Sequence, residues 1–304
     1  MELFYFLQKL SFSPLRSLIQ DKVLSLCDRR ASVAEFKEEL WRQYPEFVNM
    51  FNQISLNSKL CQPMTECHRM IYGDPRFPSA FRNLSDPPWT LTVLGNTEAL
   101  HQRSISIIGS REPEEESLEW LERELGAWPK QGWVFNSGGA RGIDQKAHQI
   151  CLRHYCPTVI FLPAGVDQIY PSSLTSAKEV IKASGGCFVS EFEDSFSIRK
   201  YAFSFRNRLI AALGKALLVV EAGEKSGSLM TGRIALEMGR PVFVIPGHPA
   251  QSRFRGSLDL LRVGAQWIEN AQDLILFLDS EEGTLSQAHL DIDAKFDLQS
   301  TSRT

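Results

Sequence analysis

Apolar positions recur along the chain with two different periods. Over residues 1–70, Leu3, Phe6, Leu7 and Leu10 fall at i, i+3, i+4 and i+7, and Phe36, Leu40, Trp41 and Tyr44 nearly repeat that spacing. No glycine interrupts this stretch, which predicts a small all-helical domain. From residue 104 onward the pattern changes to short β-rich runs: ISIIGS (105–110), WVFNSG (133–138), TVIFLPA (158–164), CFVSEF (187–192), ALLVVEA (216–222) and PVFVIPG (241–247). Amphipathic stretches separate most of them. Fully apolar strands alternating with helices require crossover connections, hence parallel pairing with helices on both faces. The predicted fold class is therefore α/β, a doubly wound and mostly parallel sheet. A proline-rich connector over residues 72–95 ends in one further strand, and residues 279–304 are polar and acidic enough to predict an unstructured tail.

Composition narrows the function classes. With 43% hydrophobic and 23% charged residues the chain is globular in character. No apolar run approaches the ~20 residues of a membrane helix. Five apolar residues precede Gln8 and Lys9, too few for the apolar core of a signal peptide. The expectation is a cytoplasmic protein without a membrane partner, its cysteines reduced. Those six cysteines form no CxxC pair; Cys61, Cys67 and His68 come nearest to a metal cluster but lack a fourth ligand at fixed spacing. No metal and no cofactor are expected. The formal net charge is only −3, yet eleven basic residues face four acidic ones between Phe196 and Arg262. From Val263 to Thr304 two basic residues face eight acidic ones. A basic block beside an acidic tail points weakly to a polyanion; a mixed solvated surface explains either half alone.

Candidate chemistry collects where strands end. Three small-residue loops each follow a strand and open a helix: Gly109-Ser110-Arg111, Ser137-Gly138-Gly139-Ala140-Arg141-Gly142-Ile143-Asp144, and Ser226-Gly227-Ser228 with Lys225 ahead of it. Backbone N–H groups at a helix start favour an anion, and glycine lets a phosphate come close. One such loop is as well explained by a tight turn. Three of them beside Arg111, Arg141 and Lys225 favour phosphate. Neither GxGxxG nor GxxxxGK[ST] occurs, which disfavours a conventional dinucleotide or ATP site, and no GxSxG elbow appears. The segment RKYAFSFRNR (199–208) packs four cations and three aromatics into ten residues. That mixture suits a single-stranded nucleic acid, with cations for phosphates and rings for bases. It equally suits core phenylalanines flanked by solvated cations, and composition does not choose between the two.

At these residues the chain resembles the DNA-processing protein A (DprA/Smf) family. The matching elements run in order: DPPWTLTVLGN, IIGSR, SGGARGIDQKAH, FLPAGVDQIYP, SEF, FRNRLIAAL, VVEAGEKSGSLMTGRIALEMGRPVFVIPG and GAQWIENAQDLI, over about residues 70–278. The resemblance implies an extended Rossmann-like domain (71–278) after a helical domain (1–70) where members often carry a SAM-like fold. It implies single-stranded DNA binding, loading of RecA, protection of incoming DNA during natural transformation, self-association as a homodimer, and no catalytic chemistry. By position, Arg111 matches a phosphate contact, while Lys200 and Phe203, upstream of Arg206, Asn207 and Arg208, match a phosphate-binding lysine and a base-stacking phenylalanine. Ser137, Gly138, Gly139 and Arg141 match a pocket loop that makes backbone contacts. Three departures stand out: Glu112, Glu114, Glu115 and Glu116 crowd the first loop, the tail is too short for the winged-helix domain of many members, and residues 1–70 carry no diagnostic match. The rival class is a nucleotide-monophosphate phosphoribohydrolase of the LOG type. Its PGGxGTxxE signature is missing, leaving only Glu221 and Glu237 as candidate acids.

Overall fold

A computed structural model describes residues 2–13, 16–49 and 66–279. Cys61 and the acidic tail from 280 lie outside the described residues. Helices α1 (Glu2–Ser11), α2 (Arg16–Asp28) and α3 (Val33–Gln43) form the N-terminal region. Helix α3 starts at a capping box, Ser32 accepting from the Glu35 N–H while Glu35 accepts from the Ser32 N–H. The expected spacing works as read, with Phe6, Leu7, Leu10, Phe36 and Leu40 buried around Trp89. Trp89 comes from the connector, so this helical core closes only against the rest of the chain.

Nine strands build one sheet in the order β1-β2-β6-β5-β4-β3-β7-β8-β9. They are β1 (Cys67–Ile71), β2 (Thr90–Gly95), β3 (Ser104–Gly109), β4 (Val134–Ser137), β5 (Thr158–Phe161), β6 (Cys187–Ser190), β7 (Leu217–Val220), β8 (Val242–Val244) and β9 (Gln266–Trp267). All six strands expected from residue 104 onward are present. From β6 to β9 every pairing is parallel, whereas β1 and β2 add an antiparallel edge. Strands β1 and β9 carry no clear sequence signal: Met70 alone is buried in the first, and the second is two exposed residues. Alternation along β1 also sends Cys67 and His68 to opposite faces, so they do not share a ligand site.

Two apolar layers cover the sheet. On one face lie the short α4 (Ser79–Arg82), α8 (Lys200–Leu213), α9 (Gly227–Glu237) and α10 (Arg255–Arg262). On the other lie α5 (Glu115–Leu125), α6 (Ile143–Arg153) and α11 (Ala271–Asp279), while α7 (Ser173–Ala183) covers the β5–β6 side. Burial pushes the thiols of Cys27 and Cys151 up to about 12, which makes them inert packing groups. No helix among the described residues is long and apolar enough to cross a membrane.

The winding order positions the site. From β3 the chain steps outward through β4, β5 and β6. Helix α8 then runs back over β5, β4 and β3 to deliver β7 on the other side of β3. The strand order reverses between β3 and β7, and that is where an open α/β sheet leaves a crevice at its carboxyl edge.

One buried ion pair anchors the returning helix. Arg208 donates through Nη1 to Glu191 Oε1 (2.5 Å) and through Nη2 to Glu191 Oε2 (2.8 Å), and its Nε donates to the Asp86 carbonyl (2.9 Å). Burial disfavours the charged guanidinium, but Glu191 and Asp86 more than offset that and hold its pKa above the ordinary arginine value. Asp86 in turn accepts from Arg16 Nε at 2.7 Å, tying helix α2 to the same junction. Glu191→Ala leaves Arg208 charged and buried with only the more distant Asp86 carboxylate (3.8 Å) to answer it, so urea unfolding should show a loss of about 3–5 kcal/mol. Replacing both partners with apolar residues, Arg208→Met with Glu191→Leu, should cost much less. Equal losses would mean that the charge pairing is not what anchors α8.

Candidate nucleic-acid interface

Helix α8 has three faces with three jobs. Leu209 and Leu213 pack into the sheet. Phe203, Asn207 and Ile210, at i, i+4 and i+7, line the crevice together with Arg206. Arg208, two positions beyond Arg206, points about 200° around the helix and serves the Glu191 junction. The crevice has a volume of about 520 Å³. Gly109, Ser110 and Arg111 at the end of β3, Ala140 and Asp144 after β4, and Gly223, Lys225, Ser226, Gly227 and Ser228 after β7 form further parts of its walls.

Arg206 is the centre of this arrangement. It is only 5% exposed. Its Nη1 donates to the carbonyl of Phe161 at 2.8 Å, at the end of β5. The guanidinium lies where a side chain on residue 138 would be: a Cβ added to Gly138 would stand 1.8 Å from Nη1. Glycine there is a steric requirement of the buried arginine. Close approach explains Gly109 too, since its Cβ would fall 2.0 Å from the Val220 carbonyl and force β3 away from β7.

Burial lowers the Arg206 pKa to about 10, with Arg111 pushing the same way and Asp144 opposing. The guanidinium is still charged at neutral pH. Asp144, buried at the start of α6, has its pKa raised by burial, although Arg206 and the Ala140 N–H stabilise its charge. One charge is therefore only partly answered by the other. The Arg206 Nε finds no partner among the described residues. A charged arginine thus lines the crevice with its buried Nε unmet by any acceptor among the described residues.

The crevice wall adds donors and one ring. Arg111 and Lys225 are exposed at its mouth. Ser226 caps α9 by accepting from the Leu229 N–H at 3.0 Å, leaving the first amides of that helix, at Gly227 and Ser228, to face the crevice. The Phe203 ring has two cations near it, the Arg111 Cζ at 5.8 Å and the Arg206 Cζ at 6.0 Å from its centroid.

Several expected residues sit elsewhere. Ser137 is fully buried and donates its hydroxyl to the Ile107 carbonyl at 2.5 Å, tying β4 to β3. Gly138 and Gly139 are buried below the crevice, the first under Arg206 and the second against Leu174. They shape the site without reaching it. Arg208 is likewise turned away, its donors spent on Glu191, Asp86 and Phe205. Although the two arginines are near neighbours in the RNR segment, helical rotation sets them on opposite sides of α8. Arg141 is exposed one residue past Ala140, and Lys200 is exposed one turn before Phe203. Asp144 and Ser228, from the second and third loops, line the crevice as well. Thr231 and Arg253 also line it, and no local pattern in the sequence marks either of them.

The acidic residues near the first loop divide into two groups. Glu114 pairs with Arg253 at 2.8 Å, while Glu112, Glu115 and Glu116 are exposed. Glu221 is fully buried at the end of β7 with φ +61°, accepting from the Glu114 N–H (3.0 Å) and the Ser117 hydroxyl (2.9 Å). It holds the start of α5 and binds Arg253 at 3.3 Å. Glu237, at the far end of α9, borders a different groove. The two glutamates left as candidate acids thus do not share a site.

Residues 68–279 match the family described as DNA recombination-mediator protein A. The chain belongs to that family. Escherichia coli Smf is 33% identical over 235 residues, 77% of this chain and 63% of that protein. Smf of Synechocystis is 35% identical over 211 residues, 67% of this chain and 52% of that protein. The chain thus spans between half and two thirds of these two relatives. Among solved structures, DprA of Streptococcus pneumoniae superposes with a TM-score of 0.69 at 27% identity, covering 75% of this chain and 81% of that one. DprA of Helicobacter pylori, a structure concerned with single-stranded DNA binding, gives 0.61 at 34% identity over 70% of this chain and 95% of that one. In this chain, residues of the GSR, GARGID, RNR and KSGS segments converge on one crevice.

His148, one turn after Asp144, makes the site's support acid-sensitive. Its Nδ1 lies 2.7 Å from the Thr158 hydroxyl, and burial, helped by Arg206, lowers its pKa from 6.5 to about 3. The unfolded chain protonates His148 near 6.5 and the folded one resists. Its stabilisation is therefore whole above 6.5 and is lost as pH falls toward 3. In urea unfolding, the wild type should lose about 1.4 kcal/mol per pH unit in this window beyond what His148→Gln loses. Parallel pH profiles for the two would show that His148 is not the group responsible.

Proposed function

We propose that this protein binds single-stranded DNA in the crevice between β3 and β7, without catalysing a reaction on it. The observation that carries the reading is Arg206: buried, charged, one donor unspent, and flanked by Phe203, Arg111 and Lys225. Phosphates take the cations and the first amides of α9, and a base takes the Phe203 ring. Lys200 continues the basic path along α8. Stacking needs an unpaired base, so duplex DNA should bind more weakly than single strands. Family membership extends the proposal to a recombination mediator that protects incoming strands and helps load RecA during natural transformation, acting as a homodimer in the cytoplasm. The Helicobacter pylori relative supports the single-strand part.

Fluorescence anisotropy with single- and double-stranded oligonucleotides across salt tests this directly. Single strands should win, and log affinity should fall with log salt at a slope of roughly −2 to −3 if Arg111, Lys200, Arg206 and Lys225 each meet a phosphate. Equal binding of duplex and single strand would refute it. With both variants shown to be folded, Lys200→Glu should weaken binding more than Phe203→Ala, whose lost stack is worth ~1–3 kcal/mol.

Arg253 supplies a separate test. Glu114 and Glu221 both hold it at the crevice, so its charge is partly spent within the protein. Glu114→Gln removes one competitor and should tighten binding, most at low salt where screening is weakest. The N–H of residue 114 still reaches Glu221, so the start of α5 is kept. Binding curves that superimpose on wild type at all salts would show that Arg253 does not meet DNA.

A further inference from the structure

Beside the crevice, on the β5 side, a second groove of about 440 Å³ runs between the loop after β5 and the segment leading into α8. The two are joined by rings. Tyr170, 43% exposed, stands edge to face with Phe203, centroids 6.1 Å apart and planes at 84°. Tyrosine supplies a broad amphipathic contact surface and loses little entropy when it is held.

The character of this groove differs from that of the crevice. Ile169 and Ile198 give it apolar walls, and Gln168 and Ser197 offer hydrogen-bonding groups. Its charges, Asp167 and Lys178, are of opposite sign. A phosphate would meet the aspartate as well as the lysine. A neutral, flat, hydrogen-bonding group would not suffer that opposition. A nucleobase is such a group.

We infer that Tyr170 and the adjoining groove form a second base subsite, taking the nucleobase next to the one on Phe203. The inference rests on the proposed binding of single strands in the crevice. With the two rings nearly perpendicular, neighbouring bases held on them cannot stack on one another, so the strand must turn as it passes from Phe203 to Tyr170. A duplex cannot make that turn without breaking pairs, and the subsite therefore adds to the preference for single strands.

The test compares Tyr170→Ala, Tyr170→Phe and wild type on two strands of equal length: an oligothymidylate and an abasic strand that keeps the phosphates but lacks bases. Tyr170→Ala should bind the oligothymidylate about five- to hundredfold more weakly, the range of one lost stack. Its affinity for the abasic strand should stay within about twofold of wild type, because phosphate contacts are untouched. Tyr170→Phe should bind both strands like wild type. An unchanged affinity of Tyr170→Ala for the oligothymidylate would overturn the subsite. So would equal losses on both strands, which would place the effect on the phosphate contacts rather than on a base. If wild type holds neither strand, the crevice reading itself fails and the subsite with it.

Discussion

A guanidinium kept charged inside a protein must be answered by something, and Arg206 is answered only in part. Its backbone partner is the Phe161 carbonyl, its counter-charge is the buried Asp144, and one of its donors is unused. The cost of this burial is met by the architecture around it. Gly138 gives up its side chain so that the guanidinium fits. Asp144 is held at the start of α6 by the Ala140 N–H. Helix α8 crosses β5, β4 and β3 at the height that brings Arg206 over the strand ends. An anion entering the crevice would complete the set.

The second arginine of the helix shows the opposite use of the same chemistry. Arg208 is buried too, yet every direction in which its fork points meets an acceptor. It stabilises the packing of α8 and has nothing left for a ligand. Through Asp86 it is linked to Arg16 and so to the N-terminal helices, whose α1 also reaches the loop after β6 by Gln8 donating to the Phe192 carbonyl and by a Lys9–Glu193 pair. The rings of Phe12 and Phe192 stack at 4.9 Å across the same junction. One end of α8 thus faces the crevice while its flank is clamped from the side, and its position carries over from fold to site.

Much of this was legible in the chain. The six apolar runs after residue 104 became parallel strands because buried parallel strands need continuous apolar sequence, and alternation with amphipathic stretches leaves little freedom of topology. Small residues after β3, β4 and β7 marked the carboxyl edge. What stayed hidden depends on long-range contacts. A polar pentapeptide such as CHRMI pairs as β1 only because β2 is already beside it. Arg206 and Arg208 are indistinguishable in composition, and only rotation about the helix separates the crevice-lining arginine from the one spent on Glu191 and Asp86. Ser137 looked like a loop donor, but its hydroxyl is consumed by the neighbouring strand. Arg253, distant in sequence, reaches the crevice through Glu114 and Glu221, a meeting no local pattern announces.

The account turns on where a single strand lies. Ultraviolet crosslinking of an oligothymidylate to the intact chain, followed by peptide mapping, locates it without any substitution. Adducts should fall on the α8 peptide containing Phe203 and on the segment from Lys225 to Ser228, the two walls of the crevice. Adducts confined to the N-terminal helices, or to the exposed Trp267 at the opposite end of the sheet, would contradict it.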